Sequence, residues 1–268
     1  MPFAVLLEIA LQPCGWLAAY LGSALTSEID LSFRNLGGTA TQFVPVFPDV
    51  GTLTTTVKIT RVANSGGMII QHFDYEVRSA TETVYRGNTY FGFFSKAALS
   101  EQVGIREAKP YRPTAAELSR GRAFDFPTTG NNFPGPQLRM VDRVTCFVHD
   151  GGPAGLGFIR GTKRVDPDEW FFKAHFFEDP VCPGSLGLES FLQLLKVLAV
   201  KRWGESAGAR LEATATGEKH EWTYRGQIIP TDREVVIEVV VTGVDDARRL
   251  LRADGYLFVD GRTIYGMK

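Results

Sequence analysis

The sequence predicts an α+β protein built from two related halves, each a long apolar helix followed by a run of antiparallel strands. Three observations lead there. MPFAVLLEIALQ (1–12) aligns without a gap on CPGSLGLESFLQ (182–193), which puts Glu8 on Glu189 and Gln12 on Gln193. Each of these helical stretches is followed by β-branched, alternating segments of strand character. Each run of strands nears its close on a similar phrase, VYRGNTYFG at 84–92 and VDGRTIYG at 259–266. An internal repeat of this kind outranks any reading of a single segment.

Taken in order, residues 3–22 read as a helix that Pro13 should kink and Gly22 should end. TTTVKITRV and GMIIQHFDYEVRS read as strands joined by a turn at Asn64-Ser65-Gly66-Gly67, and ETVYRGNTYFGFF as a further strand pair or a bulged strand. Residues 100–136, rich in Pro, Gly, Arg and Asn, read as a linker crossing a surface. Strands resume at LRMVDRVTCFVHD and GLGFIRGTKRV, and again at KHEWTYRGQIIP, EVVIEVVVTGV, RRLLRADGYLFV and RTIYGMK after the second helix. The expected division is therefore copy one at 1–99, the linker at 100–136 and copy two at 137–268. Copy one begins at its helix, so its leading strands and any matching histidine are expected to be absent, as in a piece cut from a larger multienzyme. The two copies are expected to pair within the chain, because a lone half-sheet would leave apolar edges and faces in water. The uncovered part of the first helix is expected to favour further self-association, with a homodimer as one outcome.

The chain has 268 residues, 44% of them hydrophobic, enough for one large core or two ordinary ones. A formal net charge of −1 gives no electrostatic reason to expect a nucleic-acid partner. Cys14, Cys146 and Cys182 are odd in number and widely spaced, which suits reduced thiols in a cytoplasmic protein and not a disulfide framework or a zinc site. The apolar N-terminal stretch lacks a basic region and is interrupted by Glu8, Gln12 and Pro13, unlike a signal peptide. No run is read as a charge-free membrane span.

The candidate chemistry is concentrated in WFFKAHFFEDPVCPGSLGLESFLQLLKVLAVK (170–201). An aromatic segment carries His175, a turn carries two prolines and a glycine, and a helix opens at Pro183 and Gly184 with its first backbone N–H groups free of intrahelical partners. The helix is apolar nearly all round and should be buried. Its Glu189 and Gln193 are four residues apart and share a face. A buried carboxylate costs free energy unless it is hydrogen-bonded or protonated. His72, His149 and His220 lie in strand-like or turn-like settings without a partner pattern and read as surface or edge residues. Trp222 and Tyr224 read equally as acyl-tunnel lining or core. Cys182 lacks a base of its own.

MVDRV (140–144), WFFKAHFFEDPVCPGSLGLESFLQL (170–194), YRGQIIPT (224–231) and ADGYLFVDGRTIY (253–265) resemble the hot-dog-fold 3-hydroxyacyl acyl-carrier-protein dehydratases, most closely the 3-hydroxydecanoyl dehydratase/isomerase branch. LLEIALQPCGWLAAYLGS (6–23), with two copies in tandem, resembles the dehydratase region of polyunsaturated fatty acid synthases. The resemblance implies a double hot dog, two curved antiparallel sheets each wrapping a long helix, with the first copy truncated. It implies that His175 takes a proton from C2 of the acyl chain and that a helix acid protonates the departing C3 hydroxyl. It implies that the N–H of Gly184, with Ser185, holds the thioester carbonyl, and that the Val181 carbonyl orients His175. Gln12 and Gln193 join the expected substrate-binding set. In homodimeric relatives the histidine of one unit faces the helix acid of the other, so the carry-over pairs His175 with Glu8 in preference to Glu189. Glu stands where the decanoyl branch carries Asp, which keeps dehydration but removes the warrant for isomerisation. The implied partners are acyl carrier protein bearing a 3-hydroxyacyl chain and the other domains of a large synthase, with no cofactor. A hot-dog acyl thioesterase and a non-catalytic acyl-binding pseudo-subunit of a multienzyme are the rival readings.

Overall fold

The computed structural model describes residues 1–65, 67–128, 132–205 and 214–268. In chain order the elements are Phe3–Tyr20 (α1), Ser32–Gln42 (β1), Thr54–Ser65 (β2), Met68–Arg78 (β3), Thr83–Phe94 (β4), Lys96–Ser100 (α2), Ala115–Arg120 (α3), Arg122–Asp125 (β5), Arg143–Val148 (β6), Phe158–Arg164 (β7), Trp170–Ala174 (α4), Gly184–Trp203 (α5), Lys219–Tyr224 (β8), Glu234–Asp245 (β9), Leu250–Val259 (β10) and Arg262–Met267 (β11). The chain divides into two compact units, Met1–Val103 with Ala213–Gly226, and Gly104–Glu212 with Gln227–Lys268.

This partition differs from the division read in the sequence in two places. The strand after the second long helix, β8, joins the first unit because it pairs antiparallel with β1, from Gly37↔Thr223 to Thr41↔Lys219. A strand of the second repeat thus hydrogen-bonds a strand of the first. Much of the expected linker instead belongs to the second unit. Its α3 opens with a capping box between Thr114 and Glu117, and its β5 pairs with β6. Glu117 also accepts bonds from the Tyr111 hydroxyl and the Gly152 N–H. The Thr114 backbone N–H, foremost among these donors, holds the Glu117 carboxyl down to about 2. The linker residues 129–131 lie outside the described residues, as does Gly66 of the expected turn.

In the first unit the strand order is β2-β3-β4-β1-β8 with antiparallel neighbours. Ser65↔Met68 is the closing pair of the β2–β3 hairpin, and Gly67 beside it takes a left-handed φ of 78°. Helix α1 lies against β2 and β3 and buries Phe3, Leu7, Ala10, Cys14 and Ala18 on its inner side. Pro13 sits inside α1, which runs unbroken past it, and Gly22 just beyond the end is left-handed at φ 71°. By length and composition alone α1 is apolar enough to cross a membrane.

In the second unit the order is β11-β10-β9-β7-β6-β5, again antiparallel. Helix α5 packs on β7, β9, β10 and β11. It can approach so closely because glycine stands at two contacts. A Cβ on Gly187 would lie 2.4 Å from the Tyr265 ring, and one on Gly255 would lie 2.7 Å from the Phe191 ring. Leu188, Phe191 and Leu194 of α5 are fully buried, each contributing roughly 1.5–3 kcal/mol of transfer free energy. Lys201 and Arg202 in the last turn suit the negative end of the helix dipole, and Gly204 follows at φ 75°.

Candidate active site

The site is built on the turn between α4 and α5. The N–H of His175 closes α4 on the Phe171 carbonyl at 2.9 Å, and the Val181 N–H returns to the His175 carbonyl at 2.8 Å. Glu178, at φ 54°, turns the chain between them. The same two residues are joined a second time, through His175 Nδ1 and the Val181 carbonyl oxygen at 2.8 Å. A carbonyl only accepts, so Nδ1 carries the proton and, in the neutral ring, Nε2 keeps the lone pair. The imidazole is half-buried, and the Phe176 ring packs on it at 3.8 Å between centroids. The His175–Phe176 peptide bond is cis.

Beyond Val181, the Cys182 N–H is pinned to the Ile228 carbonyl at 2.9 Å. Pro183 then occupies the N-cap of α5 and no side chain caps the helix. The opening N–H groups, those of Gly184 and Ser185, therefore remain at the positive end of a 20-residue helix. Ser185 Oγ is buried and has no hydrogen-bond partner among the described residues. Glu189 follows one turn later and is only 3% exposed. Beside the start of α5 a narrow apolar recess is lined by Phe171, Phe172, Cys182, Leu186, Ser190 and Leu257. Lys163 and Glu169, paired at 2.8 Å, also line it. Burial pushes the Cys182 thiol well above its ordinary range, so it stays a thiol and does not supply a nucleophile.

His175, Val181, Gly184, Ser185, Glu189 and Gln193 all fall in the second unit; Glu8 and Gln12 lie on α1 of the first. Glu8 is half-buried and Gln12 is exposed. Gln193 needs correction as a substrate-binding residue. It is fully buried, its Oε1 accepts from the Met140 N–H at 2.9 Å, and its Nε2 donates to the Leu138 carbonyl at 2.7 Å. Both faces of the amide are spent holding the chain that leads into β6. The signal was present in the sequence: an amide on a helix that should be buried has to be satisfied by something.

His220 is the second correction. Its sequence setting suggests a surface or edge residue, but it is 7% exposed. Its Nε2 lies 2.8 Å from the Tyr85 hydroxyl, the edge of Phe3 packs on it, and burial pushes its pKa down to about 4. Alternation in KHEWTY puts His220, Trp222 and Tyr224 on one face of β8, and all three are buried. Trp222 donates to Asn35 at 3.0 Å and belongs to the core of the first unit. His72 is half-buried and stacks on Tyr90, whereas His149 is exposed. Among the described residues no group of three or more His, Cys, Asp and Glu is placed to hold a metal ion.

An antiparallel sheet packed on one long helix, with a histidine turn leading into the helix start, defines a hot-dog domain of α+β class. Residues 133–268 match the FabA-like domain, and the chain belongs to that family. It is 33% identical over 291 aligned residues to a polyunsaturated fatty acid synthase subunit of Thraustochytrium sp.; the alignment covers 99% of this chain and 19% of that protein. The chain thus spans about a fifth of the length of that relative. Among solved structures, a MaoC-like dehydratase aligns over 99% of this chain and 82% of its own, with a TM-score of 0.50 and 11% identity. A protein from Novosphingobium aromaticivorans, provisionally assigned as a thioesterase, aligns over 100% of this chain and 85% of its own, with a TM-score of 0.51 and 12% identity. These two likenesses concern the fold.

Proposed function

We propose that the chain dehydrates 3-hydroxyacyl thioesters, carried on acyl carrier protein within a larger fatty acid synthase, to trans-2-enoyl thioesters. The observation that carries this reading is the bond between His175 Nδ1 and the Val181 carbonyl, which leaves Nε2 as a base beside an uncapped helix start inside the FabA-like match. The larger assembly is suggested by the relative's being a synthase subunit.

The chemistry follows from the residue types. A proton α to a thioester is only weakly acidic, so its removal near neutral pH calls for a positioned base of the imidazole kind. Nε2 of His175 takes the C2 proton, and the electron pair moves toward the thioester oxygen. The N–H groups of Gly184 and Ser185 stabilise the charge that develops there, an effect of about 3 kcal/mol for one such donor in other enzymes. The unpartnered Ser185 hydroxyl offers a further donor at the same place. The C3–O bond then breaks, hydroxide leaves with a proton from a carboxylic acid, and the product is an enoyl thioester and water. The apolar recess beside α5 seats part of the acyl chain. The repeat alignment, together with the resemblance to homodimeric relatives, assigns the acid role to Glu8, with Glu189 the alternative.

The test is to supply the full chain with a 3-hydroxyacyl thioester and to follow the conjugated enoyl product and the free thiol in parallel. Enoyl product without thiol is expected. Free thiol without enoyl product would move the chain to the thioesterases, and neither product over a series of chain lengths would favour a non-catalytic acyl-binding role.

A further inference from the structure

Phe176 is held by the same closed turn that holds the imidazole. Its N–H donates to the Asp179 carbonyl at 3.0 Å, and its carbonyl accepts from the Asp179 N–H at 3.3 Å. The pair closes a tight turn with Phe177 and Glu178 at its corners, inside the wider loop closed by His175 and Val181. The two neighbouring phenylalanines then part. Phe177 is 91% exposed, whereas Phe176 is 38% exposed. The Phe176 ring lies on the His175 imidazole at 3.8 Å between centroids and 32° between planes. That separation is shorter than the 4.6 Å of the stacked Phe33 and Phe91 rings in the first unit.

The face of a phenyl ring carries the negative part of its quadrupole, and a cation within about 6 Å of the centroid is attracted to it. A neutral imidazole feels little of this attraction. In the proposed reaction the C2–H bond breaks, a new N–H bond forms at Nε2, and the imidazole becomes an imidazolium. The Nδ1 proton stays on the Val181 carbonyl at 2.8 Å, so the charged ring cannot rotate away without losing that bond. The Val181 carbonyl then faces the cation in its plane, and the Phe176 ring faces it from one side. An interaction that grows as the proton is transferred lowers the barrier, whereas one equally strong before and after does not.

We infer that Phe176 is a positioning residue for His175: its ring fixes the plane of the imidazole, and its face stabilises the imidazolium formed when Nε2 takes the C2 proton. The inference rests on the dehydration reading above. It assigns no such role to Phe177, whose ring is turned to solvent.

The test uses the full chain with Phe176→Leu, Phe176→Tyr and Phe177→Leu side by side. Phe176→Leu is expected to lower kcat for enoyl formation roughly five- to thirtyfold with KM little changed, the scale of a partly desolvated cation–π contact. Phe176→Tyr keeps a ring face and Phe177→Leu leaves the contact untouched, so both should stay within about twofold of the parent. Pentafluorophenylalanine placed at 176 keeps the shape of the ring and reverses its quadrupole, so it should behave like Phe176→Leu. Nitrogen-15 titration of the His175 imidazole gives a readout independent of turnover. Its midpoint should move to lower pH in the leucine and pentafluoro proteins and stay at the parent's value in Phe176→Tyr. Lys173, Glu178 and Asp179, the charged residues nearest His175 in sequence, are the same in every variant. A parent that forms no enoyl product would sink the dehydration reading, while the titration still decides whether the ring favours the imidazolium. A pentafluoro protein with the parent's rate and the parent's midpoint would overturn the inference, and so would Phe176→Leu with both unchanged.

Discussion

The two long helices begin from nearly the same sequence pattern and end in opposite surroundings. On α5, Leu186, Ser190, Gln193 and Val197 are buried, and the helix start stands beside a histidine turn and an apolar recess. On α1, Gln12 is exposed and Trp16 is 66% exposed, against 1% for Val197. The helical code is shared, and the difference lies in what packs over it. For α5 the cover includes the segment around Leu138 and Met140, held by the Gln193 amide. The lesson is that a helix's apolar pattern states how much surface it will bury, while other parts of the chain decide where that surface goes.

The sharpest way to break the comparison is through the aligned carboxylates. Glu8→Gln is expected to lower the dehydration rate by on the order of 100-fold or more, the usual scale for losing a general acid, while Glu189→Gln keeps most of it. Side-by-side turnover rates decide the matter, and the reverse pattern would move the acid role to α5. The two amides come next. Gln193→Ala strands the buried Met140 N–H, at about 1–3 kcal/mol for a buried group left unpaired, and removes a donor from the part-buried Leu138 carbonyl. Gln12→Ala, on an exposed position, should stay within about 0.5 kcal/mol in the single chain. Urea unfolding of both variants under conditions that keep the chain monomeric measures the gap.

A third test is one of pH, and it concerns His220 of the second repeat. His220 is held in its neutral form by burial, with a folded pKa of about 4 against 6.5 when unfolded. Below pH 6.5 the unfolded chain takes up a proton that the folded chain refuses. The stability it contributes is therefore complete above pH 6.5 and is lost as pH falls to about 4; the loss is about 3 kcal/mol at 1.36 kcal/mol per unit. Chemical unfolding at pH 7 and at pH 4.5 should show a smaller acid loss in His220→Phe than in the parent. An equal loss in the two proteins would remove His220 as the cause.

Much of this was legible in the sequence. Most strand segments, the long helices and the histidine turn followed from alternation, apolar runs and the Pro-Gly punctuation of 180–184, whereas β1, with its two glycines, and β5, inside the expected linker, did not. Residues that owe their surroundings to distant partners were not legible. Gln193 looks like a ligand residue until Leu138 and Met140 are seen against it. His220 looks like an edge residue until Tyr85, 135 positions away in sequence, is found bonded to it. Likewise, β8 reads as part of the second repeat and is drawn to β1 by backbone pairing that no local pattern encodes.

The central claim is that His175 is the base of a dehydration. Its most direct measurement is the rate of enoyl thioester formation by His175→Ala beside the parent, with both proteins shown to be folded by circular dichroism. The account predicts a loss on the order of 100- to 10,000-fold with the fold intact. A variant whose rate stays within about threefold of the parent, far short of the loss of a general base, would remove His175 from the mechanism.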